Sequence, residues 1–507
     1  MHFIRFAVLV AAVAAAPAIF AATCESLSGL ALQGGSITQA EAVGAGAFTQ
    51  PSAPPPQQAM LKQLPAFCRV AAVLRPSSDS EIKIEVWMPL ENWNGKFMGV
   101  GNGGWSGAIV YQGLAGGLRQ GYAAASTNTG HDGGDATFAI GHPEKLIDFG
   151  YRAVHEMTVK GKAITEAFYS KAPERSYWNG CSSGGKQGLK EAQKFPRDYD
   201  AIIAGAPANY WTHLMIGDLW PAAATLKDPA AHLPPAKLEI MHKAALQACD
   251  NIDGVKDGLI ENPIRCRFDP AALLCKTAET EGCLTAPQVA AAKKIYEGAK
   301  NPRTGKQIFP GMPPGSELVW GALAGGPAPF NIPVSHFRDV VFKNKDWDYK
   351  TLDFDKDVEL ADKMDNNLLN ATDPNLKEFF AHGGKLLIYH GWNDQLISPM
   401  NSVNYYESVA AKMGGASKIH DSFRLFMAPG MNHCGGGDGP SRINPVAVIE
   451  QWTEKGIAPD LILAEHPGPG NKADRTRPLC AYPQIAKYKG SGSTDDAANF
   501  VCAPVGQ

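Results

Sequence analysis

No run of like charge interrupts this sequence, in which 47 Lys+Arg face 50 Asp+Glu for a formal net charge of −3. That balance gives no footing to nucleic acid or to an acidic membrane surface as a partner. No internal repeat is present and no CxxC pair, so zinc loses its commonest spacing. Beyond the N-terminal region there is no second stretch of about twenty apolar residues, which excludes a helical membrane span. What the chain does have is ordinary globular composition, 45% hydrophobic and 19% charged over 507 residues, enough for a large core.

His2 and Arg5 precede an apolar run from Phe6 to about Phe20 that ends at Ala21-Ala22. Residues 1–21 read as a cleaved export signal, too short to span a bilayer comfortably. Cys24 could suggest a lipid anchor, but Thr23 is a poor neighbour for that processing. The ten cysteines are Cys24, Cys68, Cys181, Cys249, Cys266, Cys275, Cys283, Cys434, Cys480 and Cys502. An even number behind a signal reads as disulfides formed in the periplasm or outside the cell. The count leaves their pairing open.

Residues 25–65 read as loose surface chain with a proline-rich strap from Gln50 to Pro56. Strands are expected at Val70–Leu74, Ile82–Trp87, Lys96–Val100, Tyr122–Ser126, Ser176–Asn179 and Ala201–Ala204. Helices are expected over Tyr151–Tyr169 and Gly185–Phe195, the second stopped by Pro196. Such alternation predicts an α/β fold with a doubly wound, mostly parallel sheet. The rhythm is lost from about Asn209 to Glu378 and resumes with strands at Lys385–His390 and Phe423–Met427. The expected organisation is a core in two parts, 22–208 and 379–507, around an inserted lid at 209–378.

Gly180-Cys181-Ser182-Ser183-Gly184 matches G-x-S-x-G between a strand and a helix, the context of a nucleophile elbow. A serine hydroxyl needs a base, and the base an orienting acid. In an α/β-hydrolase the acid and then the histidine follow the serine, each beyond a strand end. Asp394, in Gly391-Trp392-Asn393-Asp394, and His433, in Asn432-His433-Cys434, satisfy that order. The candidate triad is therefore Ser182, Asp394 and His433. Cys181 and Cys434 flank the serine and the histidine, so a bond between them would tie elbow to base. The oxyanion would take one donor from the Ser183 N–H and a second from Gly103 or Gly104.

A second constellation is Asp250-Asn251-Ile252-Asp253-Gly254-Val255-Lys256-Asp257-Gly258-Leu259. Asp250, Asp253 and Asp257 would offer carboxylates to Ca²⁺, and Val255 and Leu259 backbone carbonyls. It is not an EF-hand, since Ile252 stands where an acid or amide is expected. Cys249 and Cys266 flank the loop and would close it.

On Gly180–Gly185, His390–Asp394, Asn432–Cys434, Arg475–Cys480 and Tyr488–Ser493, nearly the whole mature chain resembles the tannase and feruloyl esterase family. That family includes mono(2-hydroxyethyl) terephthalate hydrolase. The resemblance implies a lid over the site, a structural Ca²⁺ in the lid and the Cys181–Cys434 bond. It also implies the pairs Cys24–Cys68, Cys249–Cys266, Cys275–Cys283 and Cys480–Cys502. Family substrates are feruloyl, galloyl, chlorogenate or terephthalate esters, all with aromatic acyl groups, free or attached to plant polysaccharide or polyphenol. Trp211, Trp220, Trp320, Phe330, Phe337, Phe342 and Trp347 are the lid aromatics, and Arg338 could meet a substrate carboxylate. The function so expected is hydrolysis of aromatic esters through an acyl-enzyme, with no organic cofactor. The competing reading is a non-catalytic, Ca²⁺-stabilised binding module on a hydrolase scaffold. Transfer to an acceptor other than water is a third, because the triad chemistry is shared.

Overall fold

The computed structural model describes residues 22–50, 53–278 and 280–505. The export signal expected at 1–21 lies outside them. Nine strands form the central sheet: β1 (Gly35–Val43), β2 (Phe67–Leu74), β3 (Ile82–Pro89), β4 (Lys96–Val100), β5 (Ala123–Thr127), β6 (Arg175–Cys181), β7 (Ala201–Gly205), β8 (Lys385–Gly391) and β9 (Phe423–Ala428). Their spatial order is β1-β2-β3-β5-β4-β6-β7-β8-β9. The pairs from β5 through β9 are parallel, whereas β1, β2, β3 and β5 pair antiparallel at one side.

Alternation along each strand divides the apolar side chains between two cores, because successive Cβ atoms point to opposite faces. Ile84, Val86, Phe97, Trp178, Ile202, Ile388 and Leu425 belong to one. Trp87, Met98, Tyr177, Ile203, Leu387 and Phe426 belong to the other. The principal helices, in chain order, are α1 (Tyr111–Arg119), α2 (Ala153–Tyr169), α3 (Ser183–Lys194), α4 (Trp211–Thr225), α5 (Pro235–Cys249), α6 (Ala286–Glu297), α7 (Met400–Lys412) and α8 (Pro445–Lys455). Helices α2, α3 and α7 cover the first face, and α1 and α8 the second. Both faces are thereby sealed, as a parallel sheet requires.

Every strand expected from the sequence is present. The loose reading of 25–65 is corrected by β1, whose Gly-Ser-Ile-Thr-Gln-Ala-Glu-Ala-Val has weak β-propensity. It becomes an edge strand by pairing with β2 over Gly35–Val43. Two hairpins near the C-terminus, Leu461–Pro467 with Ala473–Cys480 and Ile485–Tyr488 with Phe500–Ala503, had no counterpart in the sequence reading.

Residues 206–384 contribute no strand to the central sheet. This insertion holds α4, α5 and α6 and has its own core around Leu238, Met241, Ile295, Trp320 and Leu323. A further cluster joins it to the loops after β4 and β5, where Trp105 and Phe149 pack with Trp211, Leu214 and Phe337. The insertion therefore sits over the ends of the parallel strands.

All five disulfides form: Cys24–Cys68, Cys181–Cys434, Cys249–Cys266, Cys275–Cys283 and Cys480–Cys502. No cysteine is free.

Candidate active site

The site lies where open parallel sheets hold their ligands, beyond the carboxyl ends of the strands. β6 delivers Ser182, and α3 begins at the next residue. Ser182 has φ 64° and ψ −124°, a conformation rare for a residue with a side chain. Holding it costs of order 1–3 kcal/mol, a penalty that the surrounding fold must offset. The glycines around it are required sterically. A Cβ on Gly180 would lie 2.5 Å from the Gly184 carbonyl oxygen, and one on Gly101 would lie 2.5 Å from the Gly184 Cα.

Asp394 follows β8 and is fully buried. Its Oδ2 accepts from His433 Nδ1 at 2.7 Å and from His390 Nε2 at 3.0 Å. Its Oδ1 accepts the backbone N–H groups of Leu396 at 2.8 Å and Ile397 at 2.9 Å. Burial alone would raise this carboxyl. The charge of His433 and the hydrogen bonds of His390 and His433 outweigh it, holding Asp394 well below the usual carboxylate range.

The Asp394–His433 contact fixes the imidazole by one nitrogen and leaves Nε2 free among the described residues. His433's own N–H donates to Gln395 Oε1 at 3.0 Å. The Ser182 hydroxyl and His433 Nε2 are not hydrogen-bonded to each other. The link between their loops is covalent: Cys181–Cys434, with Cα atoms 6.0 Å apart. Catalytic hydrogen bonds are often long before substrate is bound.

Ser183, Gly104 and Ser182 line one pocket. The Ser183 hydroxyl donates to the Gly104 carbonyl at 2.9 Å, joining the elbow to the glycine loop. Asn102 anchors that loop, its N–H donating to Gln187 on α3 at 3.0 Å and its amide to Thr127 at 2.9 Å. Of the two candidate second donors, Gly104 lines the pocket and Gly103 does not. The insertion completes the pocket with Trp211, Leu214, Met215, Asp218, Phe330 and Ile332. As it stands it encloses about 30 Å³, room for one water molecule. A larger cavity, about 460 Å³, lies elsewhere, between the insertion and α7, and includes none of the three candidate triad residues.

Several contributors were not singled out from the sequence. His390, read as a strand end and as the start of the His390–Asp394 motif but given no role, is buried and joins Asp394 to Ser402, whose Oγ is 2.7 Å from His390 Nδ1. Lys186, one turn into α3, is fully buried without a hydrogen bond, and burial pushes it down to about 7. Its Nζ sits 4.4 Å from the Trp211 ring centroid and backs that wall. Asp218 is a buried acid in the pocket lining. Of the lid aromatics, Trp211 and Phe330 reach the pocket, whereas Trp320 and Phe337 are core. Arg338 is committed to Asp339 through bonds of 2.8 and 2.7 Å.

In the acidic loop, Asp250 accepts the N–H groups of Asp257 at 3.2 Å and Gly258 at 3.1 Å. The carboxylates of Asp250, Asp253 and Asp257 do not gather within 4.8 Å of one another. Asp257 pairs with the fully buried Arg477, which lies 3.8 Å from Glu261. Two oxygens there are buried and unpartnered, Asp253 Oδ2 and Glu261 Oε2. Burial pushes Asp253 up to about 6 and Glu261 up to about 8. Asp250, Asp253 and Asp257 against one arginine leave a surplus of negative charge that suits a hard cation.

The sheet, with its elbow serine and its insertion above the strand ends, defines an α/β-hydrolase. Comparison with known proteins supplies the family. The model of the tannase and feruloyl esterase family matches residues 68–503. An uncharacterized esterase of Xanthomonas campestris pv. campestris is 39% identical, over 95% of this chain and 91% of its own. A probable feruloyl esterase B-1 of Aspergillus flavus is 37% identical over 86% of both chains. The crystal structure of feruloyl esterase B from Aspergillus oryzae superposes with a TM-score of 0.89 at 33% identity, covering 95% of this chain and 99% of that one. The chain belongs to the tannase and feruloyl esterase family, and it is a carboxylic ester hydrolase.

Proposed function

We propose that this protein is an exported serine esterase that hydrolyses esters of aromatic acids, of the feruloyl type, through an acyl-enzyme. The observation that carries this reading is the 2.7 Å contact between His433 Nδ1 and the buried Asp394, beyond the same sheet edge as the strained Ser182.

In this reading His433 Nε2 takes the Ser182 proton as Oγ attacks the ester carbonyl carbon. The oxyanion is met by the N–H of Ser183, at the positive end of α3, and by that of Gly104. His433 returns its proton to the departing alcohol. It then activates a water that attacks the acyl carbon, releasing the acid and restoring Ser182 Oγ–H. Asp394, held ionised, keeps the proton of His433 on Nδ1 and stabilises the imidazolium. The apolar walls of the pocket suit an aryl group, and its entry requires side chains such as Phe330 and Ile332 to move aside. Galloyl esters and terephthalate monoesters are the alternative substrates.

Five disulfides and the absence of any free cysteine favour an oxidising compartment, periplasmic or extracellular. Among the described residues no helix is long and apolar enough to cross a membrane. A structural Ca²⁺ would be held by Asp250, Asp253 and Asp257 with the carbonyls of Val255 and Leu259. Its chemistry would be to neutralise the acids that tie the insertion to Arg477 of the C-terminal hairpin.

The test is labelling by a serine-directed phosphonate, with turnover of methyl ferulate, methyl gallate, chlorogenate and a terephthalate monoester. Labelling should vanish in Ser182→Ala. A wild-type protein that is not labelled would favour the binding-module reading. Failure on all four esters with cleavage of a short aliphatic one would remove the aromatic-acid reading.

A further inference from the structure

Helix α4 carries Asp218 into the wall of the Ser182 pocket. Its position is unusual for an acid. Asp218 is 4% exposed, and among the described residues no donor hydrogen-bonds to its carboxyl. No cation stands beside it: burial first, and then the negative charge of Asp394, push its pKa well above the ordinary carboxylate range. These surroundings favour its protonated form, which has one O–H to donate and a carbonyl oxygen to accept.

The other polar side chains of the lining are Ser182, Ser183 and Trp211. The Ser183 hydroxyl is donated to Gly104. The Trp211 indole N–H is buried and, among the described residues, has no hydrogen-bond partner. Ser182 is the candidate nucleophile. Around them stand Leu214, Met215, Phe330, Ile332 and Leu396. The pocket thus offers apolar surface for a ring and two uncommitted hydrogen-bonding side chains besides Ser182, of which Trp211 can only donate and Asp218 alone has oxygens to accept a hydroxyl proton. A ring that covers this carboxyl without pairing it strips its solvation for nothing in return, whereas a complementary group on the ring restores a hydrogen bond.

We propose that Asp218 is a specificity-determining residue that hydrogen-bonds a phenolic hydroxyl on the acyl ring of the substrate. A phenol is the matching group because it both donates and accepts. Its O–H gives to the Asp218 carbonyl oxygen while its oxygen receives the Asp218 O–H. An unsubstituted ring leaves the carboxyl unpaired beneath it. The inference rests on the aromatic-ester reading above and narrows it to hydroxylated acids.

The experiment compares kcat/KM for methyl p-coumarate and methyl cinnamate, which differ by a single ring hydroxyl. Wild type should favour p-coumarate by about tenfold or more, the factor that one satisfied buried hydrogen bond supplies. In Asp218→Leu that ratio should fall to within about threefold, and Asp218→Asn, which still donates and accepts, should keep part of it. Equal losses on both esters would assign Asp218 a structural role and overturn the proposal. So would a wild-type enzyme that does not discriminate, a result that needs no variant to fold. So would a variant whose loss falls on monomethyl terephthalate and spares p-coumarate. If wild type cleaves neither cinnamic ester but hydrolyses p-nitrophenyl acetate, the aromatic-acid reading itself fails, a different outcome from lost discrimination.

Discussion

Replacing both Cys181 and Cys434 by alanine should damage stability and catalysis together, and by separable amounts. The bond closes 253 residues of chain, whereas Cys275–Cys283 closes 8. With a closure entropy of −2.1 − 1.5R ln n cal/mol/K, the first loop is worth about 5.5 kcal/mol at 25 °C and the second about 2.5 kcal/mol. These are ceilings, since engineered and natural bonds commonly deliver less. The catalytic consequence has a different origin. No hydrogen bond joins Ser182 to His433, so the bond between their neighbours is the direct restraint on the distance between candidate nucleophile and candidate base. Misplacement by about 1 Å can cost about a hundredfold in rate. The assay pairs denaturant unfolding with kcat measured where both variants remain folded, alongside a Cys275→Ala/Cys283→Ala control. A stability loss no greater than that of the control would refute the loop-length argument. Wild-type kcat in the folded Cys181→Ala/Cys434→Ala protein would refute the claim that the bond sets the register of the base.

Asp394→Asn should lower kcat by about ten-thousand-fold, because an amide favours the wrong imidazole tautomer, and steady-state kinetics on any cleaved ester will read it. The same carboxyl is held below its ordinary range, so its contribution to stability is complete above about pH 4 and is lost as pH falls toward the folded value. Acid unfolding of Asp394→Asn should accordingly show a flatter limb below pH 4 than wild type. His390→Leu removes one donor from Asp394 and leaves Ser402 unpaired. It should reduce kcat by roughly tenfold to a hundredfold with little change in KM, the behaviour of a positioning residue. Chelation should lower Tm, with recovery on adding Ca²⁺ to a hundredfold excess over Kd worth about 2.7 kcal/mol. Unaltered melting in chelator would argue against the ion.

The sheet was legible because its strands are buried on both faces and read as apolar runs, as in Leu386-Leu387-Ile388 and Ala201-Ile202-Ile203. The elbow was legible because close backbone packing admits only glycine at positions 101, 180 and 184. β1 was not, since Ser36, Thr38, Gln39 and Glu41 take their conformation from β2 rather than from their own propensity. The order Ser182, Asp394, His433 marked the site without revealing His390, because a histidine closing a buried strand looks like any other strand end until Asp394 is seen 3.0 Å away.

The insertion was the hardest part to read, and for a physical reason that bears on substrate choice. Its aromatics are chemically alike in sequence. Whether Trp211 and Phe330 face the pocket while Trp320 and Phe337 fill cores is decided by how α4 and the following turns fold back over the sheet. Asp218 was hidden in the same way. In α4 a single acid among Leu, Met, Ile and Trp reads as the polar side of an amphipathic helix, yet that helix is buried nearly all round. Sequence periodicity assigns an acid to solvent when one side of a helix is wet. It has no means of recognising an acid turned into an apolar wall. The candidate triad stands out by spacing because its chemistry is shared across the fold. The residues proposed to choose the ester are displayed only once the insertion is in place.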